Sequence, residues 1–161
     1  MIRFIAAIDS KRGLADEHGI PWQGKIPTDV KHFRDSTIQG TVMMGMCWYK
    51  DQQFLLPDRR NIVATSSPEP LRPGFEKTTD ARQFLKDFEG DIWVGGGAAL
   101  FESTIDLADE LHLTLLDVDF NCSKFFPEYE QKFAISSQSE PITENGVTYC
   151  FTVWKRLPKQ G

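Results

Sequence analysis

Short apolar runs alternate along this chain with polar stretches of helical spacing, and that alternation sets the expected order of elements. Residues 1–8, Met-Ile-Arg-Phe-Ile-Ala-Ala-Ile, are almost continuously apolar, the pattern of a central strand covered on both faces. Residues 9–19 are polar, contain Gly13 and Gly19 and lack periodicity, which predicts a long loop. Pro21 and Pro27 fix φ and bias Ile20 and Ile26 away from helix, so the chain stays extended until Pro27 or Thr28 opens a helix. Ile38-Gln39-Gly40 stops that helix, and 41–45 follow as a short buried strand ending on glycine. A second helix is expected from Met46 or Cys47 to about Gln53, then a turn at 55–60 and a strand at 61–66.

Residues 67–79 hold Pro68, Pro70, Pro73 and Gly74, a turn-rich connection with room for a brief strand near 75–77. Asp80 caps a helix over 81–87 whose Phe84 is followed at i+4 by Phe88. The apolar run 92–94 enters Gly95-Gly96-Gly97 and continues as a helix to about Ile105. A strand is expected over 112–118, then two antiparallel strands, 132–140 and 146–155, joined through 141–145 with Asn145-Gly146 as the turn signal. These elements imply an α/β domain: a mostly parallel central sheet of about eight strands, an antiparallel C-terminal edge and about four flanking helices.

With 161 residues and 40% hydrophobic content the chain suits one domain, 1–161. A net charge of −5, with no run of Lys and Arg, argues against a nucleic-acid binder. An anionic ligand must then be met locally, by a helix N-terminus or a single Arg. Cys47, Cys122 and Cys150 form no C-x-x-C pair and leave one over in any disulfide scheme, which fits free thiols in a reducing compartment. Together with the lack of a signal-peptide or membrane-length apolar run, this places the expected site of action in the cytoplasm.

Three features suggest chemistry. Asp29, Val30 and Phe33 fall at i, i+1 and i+4, so one carboxylate shares the first turns with two apolar groups while Lys31, Arg34 and Asp35 can face water. Asp29 either serves a pocket or simply favours the helix N-terminus through the macrodipole. Strand, three glycines, helix is a phosphate-cradle arrangement, in which backbone N–H groups point at an anion and missing side chains admit it. The strands at 41–45 and 61–66 both end in small or hydroxylated residues, where open α/β sheets bind ligands. Thr114 is a hydroxyl among apolar neighbours, Ala6 and Ala7 let a flat ring approach the backbone, and Cys47 is expected to pack.

Ile5-Ala6-Ala7, Gly19-Ile20-Pro21-Trp22, Pro27-Thr28-Asp29 with Phe33, and Val42-Met43-Met44-Gly45 stand in this order along the chain. Leu56-Pro57-Asp58-Arg59, Val94-Gly95-Gly96-Gly97, Leu113-Thr114, and Phe126-Pro127 before Tyr129 follow. In that order and spacing the chain resembles the dihydrofolate reductase family from Ile2 through the last strand. The resemblance implies reduction of 7,8-dihydrofolate to tetrahydrofolate by hydride transfer from NADPH, serving one-carbon and thymidylate metabolism. It also implies a monomer, antifolates as inhibitors and no metal.

By the same resemblance Asp29 would hydrogen-bond the 2-amino group and N3 of the pteridine, Thr114 would support acid and ring, and Trp22 would hold an ordered water beside them. An acid among Ile5, Val30, Phe33 and Val94 loses hydration, so its pKa should rise. Ala6 and Ala7 would meet the pterin, Phe33 and Leu56 would sandwich the aminobenzoyl ring, and Arg59 would clamp the glutamate α-carboxylate. The cofactor would lie along Ala7, Leu14, Ile20, Gly45, Met46, Cys47, Trp48, Thr65, Ser66, Gly95, Gly96, Gly97, Ala98, Ala99 and Leu100. Met46 stands where relatives carry a basic residue on the adenosine 2′-phosphate, which leaves Thr65 and Ser66 as hydroxyl donors. Trp48 replaces a threonine at the cofactor phosphates, Leu100 an aromatic beside the nicotinamide, and Asp58 a glycine before Arg59, with which its charge would compete. The family's habit still implies NADPH over NADH. Two alternatives remain: a related pterin or pyrimidine reductase, similar to that of riboflavin synthesis but without need of Arg59, and a catalytically silent nucleotide-binding module.

Overall fold

In the computed structural model, which describes residues 1–52 and 54–158, the first apolar run is strand β1 (Ile2–Ile8). After it come β2 (Gly13–Ala15), helix α1 (Pro27–Thr37), β3 (Thr41–Gly45), α2 (Met46–Asp51), β4 (Arg60–Ala64) and β5 (Phe75–Thr78). The chain continues through α3 (Ala81–Asp87), β6 (Ile92–Val94), α4 (Ala98–Thr104) and a 3₁₀ turn, Ile105–Leu107. It finishes with β7 (Glu110–Leu116), β8 (Lys124–Phe125), β9 (Phe133–Gln138), β10 (Ile142–Glu144) and β11 (Val147–Arg156).

Among the described residues nine strands form the main sheet, in the order β10-β11-β7-β1-β6-β3-β4-β5, with β9 also paired to β11. From β7 to β5 every pairing is parallel, and β11 runs antiparallel to β7, β9 and β10. This is the mostly parallel sheet with an antiparallel C-terminal edge that the pattern implies, flanked by the four α-helices of the described residues. Parallel strands need both faces covered, which is why β1, β3 and β6 are apolar almost throughout. Phe4, Met43, Ile62, Val94 and Leu111 pack in one core with Phe101 from α4 and Phe126. The Phe101 ring lies 5.2 Å from Phe4 and 5.0 Å from Phe126. Each such side chain contributes about 1.5–3 kcal/mol on burial.

Several boundaries differ from expectation. The stretch 9–19 is not all loop: β2 pairs with β8, and Asp9 organises the approach to that pair. Its buried carboxylate accepts from the backbone N–H of Lys11 (2.9 Å), Gly13 (2.7 Å) and Phe120 (3.0 Å). Burial alone would raise the Asp9 pKa, but these N–H donors hold it below the ordinary range. The connection 141–145 contains β10, joined to β11 by Asn145 at φ 50° and Gly146 at φ 80°, the two left-handed residues of a tight hairpin turn. β7 begins at Glu110, two residues early, because its register sets Glu110 beside Arg3 of β1, where the two side chains pair at 3.1 Å. β4 stops at Ala64, which leaves Thr65 and Ser66 beyond the sheet edge. The expected end of α2 at Gln53 lies outside the described residues, and within them α2 ends at Asp51.

Candidate active site

α1 starts at Pro27, and the residue before it, Ile26, has no side chain that can cap the helix. Glu144, on β10, takes that role from 116 residues away. Its carboxylate accepts from Thr28 N (3.1 Å) and Thr28 Oγ1 (2.5 Å) and receives the Tyr149 hydroxyl of β11. The first turn of α1 is thereby fastened to the terminal hairpin, and Asp29 is the next residue. Instead of capping its own helix, Asp29 turns to the sheet, where Thr114 Oγ1 donates to its Oδ1 at 2.6 Å. The parallel register of β1 and β7 sets Ala7 beside Thr114 and Ile5 beside His112, so residues from both strands flank the acid.

Burial raises the Asp29 pKa, the Thr114 hydroxyl opposes that shift, and the negative charge of Glu144 adds to it. Trp22 is buried, with its ring 5.2 Å from Phe120, in a cluster with Leu116 and Tyr149 against which Ala7 packs. Phe33 and Leu56 pack on the buried group Ile5, Val42 and Trp93. Val30 is 63% exposed and does not share that packing. One residue on from Asp29, it is rotated by about 100° around the helix, so the desolvation expected from Val30 is not supplied. Val94 is 0% exposed, sealed into the main core.

Arg59 donates from Nε to the Pro57 carbonyl (2.9 Å) and from Nη1 to the Thr37 hydroxyl (3.2 Å). Among its described bonds none goes to an acid, and the expected competition from Asp58 does not take the form of an ion pair. Asp58 occupies its glycine-like position by adopting φ 57°. Burial, and then the positive charge of Arg34, lower the Arg59 pKa. The charge of Asp58 opposes that shift, and with no acid among its described bonds the Arg59 guanidinium suits an anion.

Where β3, β4 and β5 end lies a cleft of about 380 Å³. Gly45, Met46, Thr65, Ser66, Ala99 and Leu100 line it, and these are all residues singled out in the sequence. Thr78, Thr79 and Ser103 join them unannounced. The signal for the first two was available, since β5, like β3 and β4, ends where a ligand-binding edge would need hydroxyls. The remaining candidates are placed differently. Leu14 packs on the main core, Ile20 is 47% exposed, and Cys47 is exposed instead of packed because its position on the short α2 faces outward.

At the glycines, Gly45 N donates to Gly96 O at 2.7 Å, and Gly96 adopts φ 114°, which a side chain would disfavour. A Cβ on Gly95 would stand 2.4 Å from the Trp48 ring, so this glycine admits the indole, which also meets Phe33 edge-on at 5.8 Å. A Cβ on Gly97 would meet nothing within 4 Å, which leaves open backbone at the entrance to α4.

The dihydrofolate reductase family model matches residues 1–156. The dihydrofolate reductase of Bacillus subtilis is 29% identical over 161 residues, covering 97% of this chain and 95% of that protein. The dihydrofolate reductase of Staphylococcus aureus is 29% identical over 153 residues, covering 93% and 94%. Among solved structures, dihydrofolate reductase from Enterococcus faecalis complexed with NADP(H) and RAB-propyl superposes with a TM-score of 0.85 at 26% identity, covering 97% of this chain and 96% of that one.

Proposed function

This chain belongs to the dihydrofolate reductase family, and from that premise we propose that Asp29, Thr114 and Trp22 form its catalytic cluster. The enzyme reduces 7,8-dihydrofolate to 5,6,7,8-tetrahydrofolate with NADPH as the reductant. The observation that carries the residue assignment is the 2.6 Å bond from Thr114 to Asp29 Oδ1 beside strands that also bring Ile5 and Ala7 to the site. Thr114 uses one acceptor site of Oδ1, so both carboxylate oxygens can still accept, one from the 2-amino group and one from N3 of the pterin, and Asp29 keeps the ring in the form that takes a proton at N5. Trp22, seated on Phe120, shields the acid, and low hydration strengthens each of these bonds. Phe33 and Leu56 face the aminobenzoyl ring, and Arg59 with Arg34 receives the carboxylate tail.

The donor set of the second cleft fits a dinucleotide. Thr65 Oγ1 accepts from Ser67 N at 3.1 Å, so its proton is free to donate, and the backbone at Gly97 is unobstructed. Gly45, Thr65, Ser66 and Ala99 would hold the cofactor there. When bound, NADPH supplies the hydride that reduces C6 of the pterin. We further read the protein as cytoplasmic, because its three free cysteines suit a reducing compartment, and as a monomer on the family's habit.

Following NADPH absorbance with dihydrofolate and with a reduced pterin that lacks the glutamate tail tests the substrate side. Removing a bidentate charge-assisted contact raises KM by about tenfold or more. Equal KM values for the two substrates would remove Arg59 from the site.

A further inference from the structure

Asp29 is the third residue of α1, a position where an acid is drawn to the bare backbone N–H groups of its own helix and to the positive end of the macrodipole. Ile26 offers no side-chain cap and Pro27 has no N–H. The N–H groups of Asp29 and Val30 both reach the Ile26 carbonyl, at 3.0 and 3.3 Å. That leaves Thr28 N–H, and it is the one that Glu144 accepts, at 3.1 Å. Glu144 therefore meets from β10 the demand that would otherwise draw Asp29 back, and Asp29 is free to face Thr114 on β7.

The half-buried Glu144 carboxylate is itself held on both oxygens. Oε2 accepts from Thr28 Oγ1 at 2.5 Å, and Oε1 also receives the hydroxyl of Tyr149, a side chain 1% exposed on β11. The Thr28 and Tyr149 donors lower the Glu144 pKa, so its negative charge persists further into acid than that of an ordinary Glu. Burial and the bond to Glu144 raise the Tyr149 pKa, which keeps the phenol a neutral donor. Around Asp29, among the described residues, stand the Thr114 hydroxyl of β7, Tyr149 of β11 and one fixed charge, Glu144 of β10. His32, one turn further along α1, stacks on Phe151 at 3.9 Å, and burial and His112 lower its pKa.

We infer that Glu144 is a positioning residue for dihydrofolate reduction: through Thr28 and Tyr149 it holds the turn that aims Asp29 at the sheet, and it keeps a second negative charge near that acid. The inference rests on Asp29 being the pterin-binding acid. Three variants separate the two effects. Glu144→Gln keeps the size and an acceptor for Thr28 N and removes the charge, Thr28→Val keeps the charge and removes one donor, and Glu144→Ala removes both. Initial rates from acid to neutral pH give kcat and KM for dihydrofolate, calorimetry gives Kd for NADPH, and circular dichroism checks folding.

Glu144→Gln moves the acidic limb of kcat/KM to lower pH, because a charge that pushes the Asp29 pKa up is gone. Glu144→Ala also lowers kcat/KM at pH 7 by about ten- to a hundredfold, the scale of loss from a small misplacement of a reacting group, and Thr28→Val lowers it with the limb unmoved. Kd for NADPH stays at the wild-type value, since that cleft lies elsewhere, where β3, β4 and β5 end. Should Glu144→Ala not fold, Glu144→Gln and Thr28→Val carry the test. Folded Glu144 variants with the wild-type limb and efficiency, even if more easily unfolded by urea, would show a fastener without influence on the reaction and overturn the inference. A loss of NADPH affinity equal to the loss for dihydrofolate would overturn it as well. Asp29→Asn distinguishes failure of the premise: a folded Asp29→Asn enzyme of wild-type efficiency removes the acid's role, whereas a disabled one beside unaffected Glu144 variants removes Glu144 alone.

Discussion

Replacing Thr114 with valine keeps the branched shape of the side chain on β7 and deletes the hydroxyl that donates to Asp29. At 2.6 Å this bond is in the short range of charge-assisted contacts, and hydrogen bonds to charged groups are worth about 1.5–3 kcal/mol. At about 1.4 kcal/mol per factor of ten, its loss raises the ratio of protonated to ionised carboxyl by roughly tenfold to a hundredfold at any fixed pH. Burial and the charge of Glu144 push the Asp29 pKa upward, and Thr114 is the group that opposes them. The acidic limb of kcat/KM against pH therefore moves to higher pH in the variant.

Stability follows the same sign. An acid whose pKa is raised on folding binds its proton more tightly in the folded state, so its contribution is full below the unfolded value near 3.9 and is lost as pH rises through the folded value. In the variant that loss extends further up the scale, and urea unfolding shows a larger deficit at pH 7 than at pH 4. Initial rates across the acid-to-neutral range, with circular dichroism as a check on folding, provide the assay. Superimposable pH profiles for folded wild type and variant would show that this bond does not tune the acid.

The knot beneath β2 makes two more predictions. Asp9 has its pKa lowered on folding, so its contribution is present above the unfolded value and is lost as pH falls through the folded one. Asp9→Asn sets an amide against backbone N–H donors and costs about 1–3 kcal/mol at pH 7, a deficit that narrows in acid when urea unfolding is repeated there. Gly13→Ala brings a methyl within 2.6 Å of Cys122 Cβ and 2.7 Å of Asp9 Oδ2, and overpacking of this kind lowers stability by about 1–3 kcal/mol, read as a fall in Tm.

The legible parts of the fold were those in which a local run carries its own signal. β1, β3, β6 and α3 announce themselves through continuous apolar segments, a capping Asp80 and terminating glycines. β2 and β8, at three and two residues, are too short for periodicity, and their pairing follows from contacts more than 100 residues apart. β10 hid behind Pro141 in a polar stretch whose strand character comes only from pairing with β11. The site divides in the same way. Thr114 stands out as a hydroxyl on an apolar strand and Asp29 as a carboxylate one turn before Phe33, whereas Glu144 looks like any surface acid until the fold carries it to Thr28. Val30 shows the limit of spacing arguments, because a neighbour at i+1 does not share a narrow face.

The central claim is that the Asp29 carboxylate, held by Thr114, recognises the pterin and enables its reduction. Asp29→Asn preserves size and removes the charge, and the measurement is kcat/KM for dihydrofolate with saturating NADPH from acid to neutral pH. The expected loss is about 10²–10⁴-fold at pH 7, the range of general acid–base contributions, shrinking at low pH where the substrate is already protonated. A folded variant whose kcat/KM stays within tenfold of wild type at every pH would contradict it.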